Sequence, residues 1–161
     1  MNRLTITASL LLLCSCDRLP KPNQPEAGST FRAPSATELF DLQSKCSAMG
    51  EKVLQNNFIG NALTQEQVSH YNPKDNRCYV KLSVHTADLT TPRDKYIEDN
   101  YLEDGQSGEI LADTFVKAEK KSGMVFDSSL RKLMQEKKQA DTDTDAISDL
   151  IDSFVATDRR P

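Results

Sequence analysis

With 161 residues and a formal charge of −4, this chain has the length of one domain and no basic stripe of the kind that tracks nucleic acid. Its 20 basic and 24 acidic side chains are interspersed, so so mild an acidic excess sets no strong electrostatic role.

In chain order, Met1, Asn2 and Arg3 give a short positive start, followed by an apolar stretch from Leu4 to Leu13 diluted by Thr5, Thr7 and Ser9. That run is far below the ~20 residues needed to span a bilayer, and reads as a secretory signal. It ends in "LLLLCSCDRLPKP", residues 10–22, where Leu13, Cys14 and Ser15 precede Cys16. This block resembles the lipobox of bacterial lipoproteins, which implies cleavage of residues 1–15 and lipid attachment to Cys16. Cys14 competes for that role, but the bulky Leu13 stands before it, whereas the small Ser15 stands before Cys16. An ordinary secretory signal and an apolar start buried in a cytosolic chain are the alternatives.

The lipobox resemblance implies an anchor of two or three acyl chains, and at about 0.8 kcal/mol per buried methylene that attachment is effectively permanent. Asp17, next to the modified residue, resembles the signal that retains lipoproteins in the inner membrane of enteric bacteria; the rule depends on the host, and the outer membrane is the alternative. Without residues 1–15, whose only charge is Arg3, the formal balance goes from −4 to −5 over 146 residues. Residues 16–35 then comprise the lipidated cysteine and a tether, "DRLPKPNQPEAGSTFRAPS", that holds four of the seven prolines. At ~19 residues it would reach about 60 Å at most and on the order of 25 Å on average.

A folded region is expected over 36–126. Leu39, Leu42, Cys46, Met49 and Val53 recur at three- and four-residue steps, with Phe40 and Leu54 widening the stripe, which predicts an amphipathic helix opening near Ser35 to Thr37 and stopping by Asn56, Asn57 and Gly60. In "SHYNPKDNRCYVKLSVHTADL" a turn at Pro73, Asp75 and Asn76 separates two extended stretches. In the second, Cys78, Val80, Leu82 and Val84 alternate with a wet face of Tyr79, Lys81, Ser83 and His85. Two periodicities, one helical and one extended, thus turn Cys46 and Cys78 toward the same core. In an exported protein with Cys14 removed and Cys16 lipidated, they are the remaining pair and the expected disulfide. The alternative, a redox-active pair, ordinarily has close spacing and exposure.

Asp104, Gly105 and Gly108 lie between segments that predict strands over 95–103 and 109–117, and Met124 to Phe126 predicts an edge strand. The expectation is an α+β fold: an amphipathic helix packed on a three- to four-stranded antiparallel meander, followed by C-terminal helices. The succession of a helix with Cys46, then His70, Tyr71, Asn72, Cys78 and Tyr79, then Asp104, Gly108 and Ala112, resembles a loose group of uncharacterised proteobacterial envelope proteins, many of them lipoproteins. That resemblance covers roughly residues 38–117 and implies fold and compartment, with no activity to transfer. The group ends soon after its sheet, whereas this chain continues.

The continuation, 127–161, predicts a basic helix from Leu130 to about Gln139 capped by Ser128 and Ser129. Next, Asp141, Asp143, Asp145, Asp149 and Asp152 fall at positions 1, 3, 5, 9 and 12 of an EF-hand numbering. Against calcium, Ala146 stands where glycine is needed, Ser148 where an apolar residue packs and Asp152 where a bidentate glutamate belongs. A helix capped by Asp143 or Thr144, with Ile147, Leu150, Ile151, Phe154 and Val155 as its stripe, accounts for more of the pattern.

No catalytic set, cofactor motif or metal-ligand spacing emerges. His70 and His85 read as ordinary sheet histidines. Glu98, Asp99, Glu103, Asp104, Glu109 and Asp113 read as the solvated face of a hairpin. The functional expectation is a non-enzymatic envelope lipoprotein, membrane-bound through its lipid, that presents a small domain to an unknown envelope protein in the periplasm. A small envelope enzyme or a calcium-binding protein is the alternative.

Overall fold

Ser35 opens the first helix with a reciprocal cap: its hydroxyl accepts from the Glu38 amide (3.3 Å) and its own amide donates to the Glu38 carboxylate (2.7 Å). A computed structural model describes residues 32–87 and 96–156. The expected signal, Cys16, Asp17 and the greater part of the tether lie outside the described residues. Helix α1 (Ala36–Asn56) is followed by five strands, β1 (Ala62–Asn72), β2 (Arg77–Ala87), β3 (Tyr96–Asp104), β4 (Ile110–Lys117) and β5 (Lys120–Val125), then α2 (Ser128–Glu136) and α3 (Thr144–Val155). The strands form one antiparallel sheet in the order β1-β2-β3-β4-β5, so every neighbour in sequence is a neighbour in space.

The α+β class is as expected, with five strands where three to four were counted. β1 carries almost no apolar alternation because α1 grips it through polar groups. Gln43 donates to the Ser69 carbonyl (3.2 Å) and accepts from the Tyr71 amide (2.9 Å), and Gln67 donates to Glu51 (3.1 Å).

On this face Cys46, Val53, Tyr71, Cys78 and Val80 are buried together, with Leu42 and Met49 packed against them. The Cys46–Cys78 disulfide crosses the layer, its Cα atoms 5.3 Å apart. Leu39 and Phe40 depart from the predicted stripe; Phe40 is 71% exposed. Since Gln43 already reaches Tyr71, one rung from the end of the β1–β2 ladder, the turn of helix before it stands beyond the sheet.

The other face was expected to be wet, and it is not. Tyr79, Leu102, Leu111, Ala112 and Val125 form a second core with Leu130 and Met134 of α2 and with Ala146, Ile147, Leu150, Ile151 and Val155 of α3. A register shift between Leu102 and Glu103 lets the consecutive Leu111 and Ala112 both enter it. Lys81 lies under α3 by its stem, with its ammonium on Asp152 (2.6 Å), which explains why a buried face reads as charged. The described residues from Ala33 onward make one compact unit, with α2 and α3 packed on the sheet.

The cap of α2 is also corrected: Asp127 accepts from the amides of Ser129 (2.8 Å) and Leu130 (2.9 Å), taking the place predicted for Ser128 and Ser129. The helix stops at Glu136, and Lys138 follows in the left-handed region (φ 58°), three residues sooner than expected. For α3, Asp143 caps as predicted, accepting from Ala146 (3.3 Å).

One glycine is fixed by the disulfide. A Cβ on Gly105 would lie 2.8 Å from Cys78 Sγ and 3.2 Å from Val80 Cγ2, both held in the core. Gly105→Ala is therefore expected to cost about 1 to 3 kcal/mol, read as a lower midpoint in denaturant with an unchanged slope.

Candidate functional site

Two surface features have chemistry to offer. The first is a cleft of about 420 Å³ where the β1–β2 turn meets α2 and the end of α3. The turn is ordered from within: Asn72 donates to Asp75 (2.9 Å) and accepts from the Lys74 amide (3.0 Å), and Tyr71 donates its hydroxyl to Asn76 (2.7 Å). Asn76 sits at φ 53°, a conformation asparagine tolerates.

From this turn Arg77 reaches Asp104, with Nε and Nη2 at 2.8 and 2.7 Å from Oδ2. The other oxygen of Asp104 accepts the amides of Gln106 (2.8 Å) and Ser107 (3.1 Å), tying the β3–β4 turn to the β1–β2 turn. Arg77 also lies 5.9 Å from the ring centre of Tyr79, which packs at 4.6 Å against Phe154. Burial, the hydrogen bond to Asp75 (3.0 Å) and the charge of Asp75 push the Tyr79 phenol up to about 12, so it is a donor at neutral pH.

The cleft has polar walls, and two of its three carboxylates are engaged in structure. Asp75 accepts from two donors and Asp127 caps α2. Neither histidine lines it. His70 pairs with Tyr79 on the adjoining strand, whereas His85 lies six residues further along β2, roughly 20 Å away. The two cannot share a ligand. Nor do the five aspartates of the tail converge: Asp141 pairs with Arg131 (3.5 Å), Asp143 caps α3, Asp145 pairs with Lys121 (2.7 Å) and Asp152 with Lys81. Among the described residues no group of three or more His, Cys, Asp or Glu is placed to hold a metal ion.

The second feature is the sheet face beyond α1. That helix packs on β1 and β2, leaving the same side of β3, β4 and β5 without a helix among the described residues. The pairing puts Tyr101, Asp113 and Met124 on one rung and Asp99, Phe115 and Ser122 on the next. Glu103 follows Tyr101 on the same side, opposite Val80 of the α1 core. The acids read as one solvated hairpin thus separate, because alternate residues of a strand point to opposite faces. Asp104 joins the cleft network, and Asp99, Glu103 and Asp113 share the open face. Glu103 and Asp104 are also not solvated, at 5% exposed each.

Burial raises Glu103 above the usual glutamate value, and Asp113 likewise; Asp99 is raised by burial and by the charge of Asp113. Their folded forms therefore bind protons more readily than the unfolded chain, so these groups cost stability above their raised folded values, and the cost vanishes as pH falls below the unfolded ones. The capping Glu38 is lowered and works in the opposite sense. Glu103→Gln is expected to raise the melting temperature at pH 7 by about 2 to 5 °C, with the gain shrinking toward zero below the ordinary glutamate value of 4.5. Thermal melts of the two proteins across pH 4 to 8 check the sign.

Sequence reasoning missed the Arg77–Asp104 tie, whose partners are 27 residues apart, and carried no signal for it beyond the turn residues around Asp104. Comparison of the chain with protein-family models, with curated proteins and with solved structures gives no match.

Proposed function

We propose that this chain is a bacterial envelope lipoprotein, anchored by lipid on Cys16, whose domain serves protein interaction in the periplasm and not substrate turnover. The observation that carries this reading is the buried Cys46–Cys78 disulfide, since such bonds persist in oxidising compartments and the cytosol keeps thiols reduced. The sequence before it supplies the route there, an apolar signal ending at Leu13, Cys14, Ser15 and Cys16. Asp17 favours the inner membrane. Among the described residues no helix is long and apolar enough to cross a bilayer, and the anchor in this reading is the acyl chains.

An interaction role is supported by how the polar groups are used. Two of the cleft's three carboxylates order a turn and cap a helix, while Phe115 and Met124 on the sheet face beyond α1 are exposed. The test is metabolic labelling with radioactive palmitate in a bacterial host. Wild type and Cys14→Ser should be labelled and sediment with membranes, whereas Cys16→Ser should lose the label and leave the membrane fraction. Labelled Cys16→Ser protein, or loss of label in Cys14→Ser alone, would move the anchor or remove it.

A further inference from the structure

The cleft between the β1–β2 turn and α2 lies where the chain leaves α3. Phe154 forms part of its wall, and α3 ends one residue later at Val155. Ala156 is the last described residue before Thr157, Asp158, Arg159, Arg160 and Pro161, which lie outside the described residues. The charged lining of the cleft is unbalanced. Asp75 stands on the β1–β2 turn, and Asp127 and Glu136 stand at the two ends of α2. Of its two cations, Arg77 is committed to Asp104 at 2.7 Å, which leaves Lys132 against three carboxylates. The hydrogen bonds of Asp75 come from the neutral donors Asn72 and Tyr79, and those of Asp127 from two backbone amides. Glu136 is exposed and has no hydrogen bond or ion pair among the described residues. Between these carboxylates Leu133 and the Tyr79–Phe154 ring pair offer apolar surface of the kind that the stem of a long basic side chain covers.

We infer that residues 157–161 dock back into this cleft, with Arg159 and Arg160 meeting the carboxylates of Asp75 and Glu136 and their stems covering Tyr79, Leu133 and Phe154. Reach, direction and charge select this occupant. Arg159 and Arg160 follow Ala156 by three and four residues, roughly 10 to 13 Å of extended chain at most. Successive side chains of an extended segment point to opposite sides, so two consecutive arginines face the two walls, and a carboxylate stands on each. Two arginines and one aspartate leave the segment net positive, whereas three carboxylates and two cations leave the lining net negative, and Asp158 has Lys132 to meet. Exposed ion pairs are individually weak, but so short a tether makes the encounter intramolecular, at an effective concentration on the order of millimolar that a second copy or a free segment does not match. Within the interaction role proposed above, residues 157–161 are a built-in competitor, since a partner's basic side chain reaches these carboxylates only when they leave. The contact itself depends on neither that role nor the lipid anchor.

The test uses the full-length chain in detergent micelles with Arg159→Lys/Arg160→Lys, which keeps both charges and supplies amines. A water-soluble carbodiimide joins such an amine to a carboxylate in contact with it: the amide bond forms as the carboxylate loses an oxygen, which the carbodiimide takes up to become a urea. Mass spectrometry of the digested protein then identifies the carboxylate. Coupling is expected within one chain, at Asp75 or Glu136, with a yield at least about fivefold above that at the exposed Glu66 and Asp149. Adding Glu136→Gln should lower the yield at Asp75 by at least about threefold, whereas adding Glu66→Gln should change it by less than about 1.5-fold. Melting temperatures establish that each variant folds. Equal yields at the cleft and at Glu66 and Asp149, no coupling at all, or a yield at Asp75 indifferent to Glu136→Gln overturns the proposal. So do products found only as covalent dimers, because the occupant is then a second copy. None of these readouts involves Cys16, so their failure leaves the lipoprotein reading standing, and loss of palmitate leaves the docked segment.

Discussion

Replacing both Cys46 and Cys78 by alanine is expected to lower stability by about 3 to 4 kcal/mol and the melting temperature by about 10 to 20 °C. The bond joins residues 32 apart in sequence, so the chain-entropy account assigns it most of that loss through the freer unfolded state. It is also the centre of the smaller core, where Cys46 and Cys78 are each 1% exposed beside Val53, Tyr71 and Val80. The double substitution avoids a lone buried thiol. Denaturant titration of wild type with and without reductant provides the comparison: reduced wild type should match the double variant to within about 1 kcal/mol. A loss below about 1 kcal/mol in both would mean that packing and the Gln43 and Gln67 hydrogen bonds hold α1 on the sheet without the disulfide.

Truncating α3 at its centre should be as damaging. Ile151 is 1% exposed and sits in the larger core with Ile147, Leu150, Tyr79 and Leu102. Ile151→Ala removes three carbons from a filled site and is expected to cost about 2 to 5 kcal/mol, depending on how far the neighbours close in. Ile151→Asp adds an unpaired buried charge and should leave the chain unfolded at ambient temperature. If α3 is only an exposed appendage, both variants will melt with wild type. Calcium at millimolar concentration should leave all three melting curves unchanged, because four of the tail's five aspartates are committed to separate partners and no group of three or more acids is gathered among the described residues.

The legible part of this fold is the part built from periodic apolar contacts. Leu42, Cys46, Met49 and Val53 repeat as a helix and Cys78, Val80, Leu82 and Val84 repeat as a strand, and those repeats bring the two cysteines together across a layer. The stripe of α3 was equally plain. What stayed hidden was held by polar or distant contacts. β1 meets α1 through Gln43 and Gln67, which leave no alternation to read. Tyr79 and Lys81 looked solvated because an aromatic hydroxyl and a long ammonium stem can be covered while their polar tips still find partners. Asp127, which caps α2, is not singled out in the sequence because Ser128 and Ser129 are as good a local signal.

The two surface sites show the same limit. Arg77 and Asp104 belong to different hairpins, and only the sheet brings them within 2.7 Å. The acids of the β3–β4 hairpin form one group in sequence but divide between two faces, and Glu103 is buried by Val80's side of the sheet through a pairing that composition does not encode.

Non-reducing intact-mass measurement of the protein taken from bacterial membranes tests the central claim most directly, because one number reports both the anchor and the disulfide. The account predicts a chain beginning at Cys16, heavier by a lipid with two or three acyl chains, and lighter by the two hydrogens lost when Cys46 and Cys78 bond. A chain of unmodified mass, or one that retains both hydrogens, would contradict it.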